Sequence, residues 1–295
     1  MKKIEFIAEV SSNHNRDLER MKDFIYASKE VGCTGIKFQL FKIEQLFSSE
    51  ILKKSEIHRK RIEWELPLEY IPELSNLTHS LGLSFSCTPF YLQAVDELEP
   101  YVDFYKIASY ELLWIDLFKK CGEIGRPIVF STGMATIEEV RNALKSLLNS
   151  NTSNITILHC NSAYPTPHKD ANLSGIKFIQ TMIDDINYPK KFKIDIGYSD
   201  HTVSPAVLYR AVHKYNAKFI EFHLDLDKKG EEYKSGHCWL PKQISEVISN
   251  INKGFESDGP LKFGPSKSEL LDRDWRADPI DGLRPLKKIR ESFGQ

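Results

Sequence analysis

Polar residues able to do chemistry recur along this sequence, each group riding on or closing a short apolar run. The groups are Glu9 then His14; Lys37 and Gln39; Ser86-Cys87-Thr88-Pro89; and Lys106, Ser109 and Glu111. They continue as Ser131-Thr132-Gly133-Met134; His159-Cys160-Asn161-Ser162 with Tyr164; Tyr198-Ser199-Asp200-His201; and Glu221 with His223. Lysine offers a compact charge for phosphate or carboxylate, while hydroxyls and backbone amides offer directional donors. The set therefore suits a small, oxygen-rich anion. One lysine inside a strand reads equally well as a paired structural charge. Two at one mouth favour an anion site, because an unpaired buried charge is costly.

His201 and His223 close adjacent runs and could converge on one metal. Two imidazoles with oxygen or water ligands suit Mn²⁺, Fe²⁺ or Zn²⁺. Taken alone, the pair reads as readily as hydrogen-bonded core histidines, since a complete site wants three or more ligands. His159 sits one position earlier on its run and is expected to point away; His58, His79, His168 and His213 read as surface, and His14 and His237 stay open. Cys33, Cys87, Cys121, Cys160 and Cys238 are scattered, without a CxxC spacing, and read as free, mostly buried thiols. No sequence-near base supports Cys87 or Cys160 as a nucleophile.

The runs that must position these groups are Phe6–Val10, Gly35–Leu40, Leu83–Thr88, Phe104–Ser109, Pro127–Thr132, Ile155–Cys160, Ile194–Ser199 and Phe219–Leu224. They are nearly continuous in apolar residues, as strands covered on both faces are. Helix-like segments lie between them. Leu18–Val31 carries helical spacing, Ile137–Leu148 follows Thr136 with Glu139 as a capping box, Ser204-Pro205 opens a helix, and Pro241–Lys253 supplies a last one. Eight alternations predict a (β/α)8 TIM barrel, with active groups at the carboxyl ends of the strands. An open doubly wound sheet would want a glycine-rich loop after its first strand; Ser11-Ser12-Asn13-His14-Asn15 holds no glycine. Phe41–Glu65 reads as a charged, irregular excursion. Residues 1–263 are taken as the barrel and 264–295 as an Asp/Arg-rich tail packing on it.

With 295 residues, 41% of them hydrophobic and 27% charged, the chain can bury one barrel-sized core. A net charge of −1 and dispersed basic residues argue against a nucleic-acid partner. No apolar run approaches the roughly 20 residues that span a membrane. The amino terminus lacks a secretion-signal pattern, so a cytoplasmic location is expected.

The sequence resembles the N-acetylneuraminate synthase family, the sialic-acid synthases, and its legionaminic and pseudaminic relatives. The matching stretches run from Ile7-Ala8-Glu9-Val10-Ser11-Ser12-Asn13-His14-Asn15 through Ile36-Lys37-Phe38-Gln39, Ser86-Cys87-Thr88-Pro89-Phe90 and Tyr105-Lys106-Ile107-Ala108-Ser109-Tyr110-Glu111. They continue through Ser131-Thr132-Gly133-Met134-Ala135-Thr136, Leu158-His159-Cys160-Asn161-Ser162-Ala163-Tyr164-Pro165-Thr166-Pro167, Gly197-Tyr198-Ser199-Asp200-His201-Thr202 and Glu221-Phe222-His223. The resemblance implies a metal-dependent condensation of phosphoenolpyruvate with an amino-sugar aldehyde, such as N-acetylmannosamine or another aldose, to a nonulosonic acid. It implies His201 and His223 as ligands of a divalent cation, Mn²⁺ by preference, with Mg²⁺, Co²⁺ or Fe²⁺ as substitutes. Lys37, Thr88, Lys106, Ser109, Ser131, Ser162 and Ser199 are implied as the phosphoenolpyruvate cradle. Gln39, Glu111 and Tyr164 are implied as sugar contacts, and Glu9 as an acid near metal-bound water. A homodimer is compatible with the resemblance.

Two departures stand out. A Gly-Pro-Asp-His stretch usual in the family is replaced by Gly230-Glu231-Glu232-Tyr233-Lys234-Ser235-Gly236-His237-Cys238-Trp239-Leu240-Pro241, so Glu231, Glu232 or His237 is the substitute acid or base. The C-terminal antifreeze-like domain of many members has no counterpart, and Arg276 and Arg284 of the tail are alternatives for capping the mouth. Two other readings share the residues. One is a Schiff-base aldolase using Lys106 or Lys37. The other is a non-catalytic sugar-binding barrel.

Overall fold

The computed structural model describes residues 4–294. Its eight strands are β1 (Glu5–Glu9), β2 (Gly35–Leu40), β3 (Ser84–Pro89), β4 (Phe104–Ile107), β5 (Ile128–Ser131), β6 (Asn154–Cys160), β7 (Lys193–Asp200) and β8 (Phe219–His223). All pair in parallel in chain order, and β8 closes onto β1. The apolar runs of the sequence are these strands, with ends displaced by a residue or two. β4 stops at Ile107 because the chain turns into a 3-10 segment at Ser109–Glu111.

The outer helices are α1 (Leu18–Glu30), α2 (Ile71–Ser80), α3 (Leu92–Leu98), α4 (Ile115–Ile124), α5 (Ile137–Leu148), α6 (Ser174–Asp184), α7 (Pro205–Tyr209) and α8 (Pro241–Ser257). Each buries one stripe, such as Met21, Phe24 and Ile25 on α1 or Ile244, Val247, Ile248 and Ile251 on α8. The cap expected at Thr136 is present: its hydroxyl accepts from Glu139 N, and Glu139 accepts from Thr136 N at 2.7 Å. α7 passes directly into a π-helical turn, Arg210–Lys214. The excursion after β2 departs from expectation. It forms short helices over Ile43–Leu46, Ser49–Lys54 and Glu56–Lys60 and a 3-10 turn over Arg61–Trp64. These turns bury almost nothing, so they leave no apolar stripe in the sequence to find.

Alternation along each strand sets what faces the barrel axis. Ile7, Phe104, Val129, Leu158 and Phe219 form a separate buried cluster, the apolar floor. Gly35 and Gly197 leave room for it: a Cβ on Gly35 would sit 2.8 Å from Ile7, and one on Gly197 2.6 Å from Leu158. Two residues further along the same faces come Glu9, Lys37, Lys106, Ser131, Cys160, Ser199 and Glu221, and then Gln39, His201 and His223. The register fixes their levels, with Glu9 opposite both Lys37 and His223 and Ser199 opposite Glu221. His159 falls on the outward face, as expected, and binds Ala171 O at 2.9 Å.

The described residues divide into two compact units, one ending at Phe255 and one beginning at Glu256. The second contains short turns and a helix, Lys287–Ser292, whose first turn is held by Asp278 accepting from Lys287 N at 2.7 Å. Among the described residues no helix is long and apolar enough to cross a membrane. All five cysteines are free and buried.

Candidate active site

The carboxyl ends of the strands carry a charged network above the floor. Lys37 is ion-paired with Glu9, and its Nζ lies 3.1 Å from Thr88 Oγ1. Glu9 also accepts from Ser11 N at 2.7 Å and from Gln39 Nε2 at 3.3 Å. Across the mouth, Lys106 Nζ lies 3.4 Å from Glu221 Oε1, and Ser199 donates to the same oxygen at 3.2 Å. Burial pushes the Lys37 ammonium down to about 8, opposed by the charge of Glu221 and reinforced by that of Lys106. Burial pushes the Glu221 carboxyl up, but Lys106, Lys37 and His223 outweigh it and hold it at about 2.

Beside Lys106 lies a hydroxyl cluster. Ser109 Oγ accepts from Gly133 N at 3.0 Å, while Ser131 Oγ and Ser162 Oγ are buried without a hydrogen-bond partner. A Cβ on Gly133 would fall onto Ser162 Oγ and lie 2.8 Å from Ser109 Oγ. The orphaned hydroxyls of Ser131 and Ser162 are donors awaiting an acceptor. Gly133→Ala would be relieved by turning Ser162 away, which withdraws a donor. The expected result is a rise of about 10-fold or more in KM for the anionic substrate, with the thermal midpoint nearly unchanged. An unaltered KM would remove Gly133 from the cradle.

Glu111 is half-buried on the 3-10 turn, its Oε2 without a partner. Burial raises its carboxyl to about 7, against the pull of Lys106. The folded state thus binds this proton more tightly than the unfolded chain. Its stabilising effect is full below the ordinary value of 4.5 and fades as pH rises through about 7. Near neutrality the group can donate to a substrate oxygen or accept from one. Glu111→Gln should erase an inflection near pH 7 in kcat/KM. If the inflection persists, another group owns it.

The imidazoles gather on the β7–β8 side. Ring centroids of His201 and His223 are 5.2 Å apart, and Tyr164 lies 4.2 Å from His201. Nδ1 of His201 is 2.6 Å from Asn161 O, and Nδ1 of His223 is 2.8 Å from Glu232 Oε2. Those contacts place the proton on Nδ1 and turn each Nε2 toward the pocket. Burial would lower His201, but Cys160, the Asn161 carbonyl and Asp200 outweigh it and raise the imidazole to about 9, so a cation bound there displaces a proton. Burial lowers His223 to about 4, consistent with a neutral imidazole. Burial works the other way on Glu232, but His223 and Ser11 beside it hold the carboxyl well below the usual range. The strained turn after His201 is supported: Val203 has φ 51°, and Asp200 accepts from Thr202 N, Val203 N and Trp239 Nε1. The donor set fits a divalent cation.

All thirteen residues singled out from the sequence (Glu9, Lys37, Gln39, Thr88, Lys106, Ser109, Glu111, Ser131, Ser162, Tyr164, Ser199, His201 and His223) lie on this end of the barrel. Glu9 is bound into the Lys37 pair, a tighter engagement than an acid beside water. The sequence reading left Glu221 without a role and Glu232 as one of several substitutes. Glu231 is exposed, whereas Glu232 reaches His223 and accepts from Ser11 Oγ at 2.6 Å. His14 is buried in the turn after β1, where it accepts from Arg16 N at 2.9 Å.

A closed (β/α)8 barrel with buried lysines, hydroxyls and imidazoles at the strand ends defines a barrel enzyme that handles an anionic substrate. Residues 24–262 match the NeuB family model. The chain is 33% identical over 281 residues to the N,N'-diacetyllegionaminic acid synthase of Legionella pneumophila, covering 90% of this chain and 76% of the relative. It is 34% identical over 284 residues to the enzyme of that name from Campylobacter jejuni, covering 91% and 81%. Among solved structures, the N-acetylneuraminic acid synthetase of Leptospira borgpetersenii superposes with a TM-score of 0.76 at 25% identity, covering 93% of this chain and 91% of that one. The chain belongs to the NeuB family, and it is a carbon–carbon bond-forming transferase of that family.

Proposed function

We propose that the barrel mouth condenses phosphoenolpyruvate with the open-chain aldehyde of an amino sugar, giving a nonulosonic acid and inorganic phosphate. The observation that carries this is the division of the mouth. One half gathers buried Lys37 and Lys106, each beside a carboxylate, with the orphaned hydroxyls of Ser131 and Ser162, groups that suit an anion; His201, His223 and Tyr164 form the other.

Lys37, Thr88, Lys106, Ser109, Ser131, Ser162 and Ser199 hold the phosphate and carboxylate of phosphoenolpyruvate, fixing its C3 toward the imidazole half. Gln39, Glu111 and Tyr164 orient the sugar. His201 and His223 would hold the divalent cation, Mn²⁺ by preference, which supplies Lewis acidity for a carbonyl oxygen. C3 attacks the aldehyde carbon, the new C–C bond forms, and the aldehyde oxygen takes a proton to become a hydroxyl. Water adds at C2 and loses a proton toward the Glu9–Lys37 pair. The C2–O bond to phosphate then breaks, leaving a 2-keto acid and free phosphate. Holding two reactants in register and stabilising charge as it develops account for most of the rate.

The test is a panel of aldoses offered with phosphoenolpyruvate and Mn²⁺, read by product mass. N-acetylmannosamine and 2,4-diacetamido-hexoses should give products heavier than the aldose by the pyruvate unit. Phosphoenolpyruvate left intact with every aldose would end the proposal.

A further inference from the structure

The loop after β8 brings a third imidazole to the two at the strand tips. His237 is 3% exposed, and neither of its ring nitrogens makes a hydrogen bond, Nε2 standing 3.5 Å from Glu232 Oε2. Its ring centroid lies 4.7 Å from that of His223 and 6.1 Å from that of His201. Ligand atoms of His223, Glu232, His237 and Cys238 all lie within 4.8 Å of one another, close enough to share one ion, and the His201 ring adjoins that of His223.

The loop is built to hold this position. Asn13 Oδ1 accepts from Glu232 N at 2.8 Å, and Asp225 accepts from Gly230 N at 3.1 Å and from Arg20 at 2.8 Å. Trp239 closes the far side, its N donating to His223 O at 2.8 Å and its Nε1 to Asp200 at 2.9 Å. Gly236, at φ 81°, makes the turn that presents His237. The neighbouring donors are engaged otherwise. Glu232 accepts from Ser11 through Oε1 and faces His223 through Oε2, and Cys238 Sγ lies 3.5 Å from Asn13 Nδ2.

We propose that His237 is a third imidazole ligand of the divalent cation, with Glu232 the carboxylate that orients His223. This rests on the metal reading given under Proposed function. A third nitrogen strengthens binding more for Co²⁺ and Zn²⁺ than for Mn²⁺.

The experiment titrates the metal-stripped full chain with Mn²⁺ and with Co²⁺, and counts coupled imidazoles in the Mn²⁺ form by pulsed EPR with ¹⁵N-labelled histidine. The wild type should bind one ion and couple three imidazoles. His237→Gln should couple two and bind at least ~10-fold more weakly, with the larger loss for Co²⁺. His237→Asp, which offers an oxygen instead, should recover part of the affinity. Two coupled imidazoles in the wild type, with His201→Gln and His223→Gln losing the ion and His237→Gln keeping it, would overturn the third ligand and leave the two-histidine site standing. No stoichiometric ion in the wild type would remove the metal reading and this proposal together. The wild-type imidazole count decides the matter even if a variant folds poorly.

Discussion

Lys106→Met should lower kcat/KM for phosphoenolpyruvate by about 10³-fold, the scale lost when a preorganised donor to developing charge is removed from a dry site. Lys106 has the buried geometry for this: it is 2% exposed, with Nζ 3.4 Å from Glu221 Oε1. The substitution also leaves Glu221 without its nearest cation, and an uncompensated buried charge costs about 3–5 kcal/mol. Stability and catalysis therefore have to be separated. In the double variant Lys106→Met/Glu221→Gln the buried negative charge is gone as well, so the thermal midpoint should recover while the activity does not. If activity returned with stability, Lys106 would be a structural partner of Glu221 and the anion site would lie elsewhere.

Chelation should abolish turnover, and Mn²⁺ should restore it to the wild type but not to His201→Ala, whose loss should be about 10³-fold or more. His201 is 3% exposed, fixed by Asn161 O on one nitrogen and carried on a turn that Asp200 stabilises, so little but its second nitrogen is free to act. This result also separates the condensation from a Schiff-base aldolase. Lys37, lowered by burial to about 8, has some of the character of an amine nucleophile, but its ion pair with Glu9 holds it away from that chemistry. Borohydride with substrate should therefore trap no adduct. A trapped lysine adduct that forms in the presence of chelator would reverse the assignment.

Much of this was legible from the sequence because a parallel barrel writes its strands plainly. Both faces are covered, so the runs are nearly continuous, and the period of two then fixes which residues share the axis with Phe219, Glu221 and His223. The same reasoning turned His159 outward. What the sequence left open lies where no period operates. His237 and Glu232 sit on an irregular loop whose path is set by Asn13, Asp225 and Trp239, partners more than 200 residues apart in the case of Asn13. The short helices of 43–60 escaped for the opposite reason: their exposed faces lack an apolar stripe. Nor does any residue pattern separate one acceptor sugar from another, since the proposed contacts Gln39, Glu111 and Tyr164 would suit many aldoses.

The central claim, that enolic C3 of phosphoenolpyruvate attacks an aldehyde and phosphate then leaves by C–O cleavage, is tested most directly with phosphoenolpyruvate carrying ¹⁸O at its bridging oxygen. With an N-acetylated amino-hexose as acceptor, the account predicts that the label appears in inorganic phosphate, one phosphate for each nonulosonic acid formed. Label retained in the organic product, or phosphate released without a new carbon–carbon bond, would contradict it.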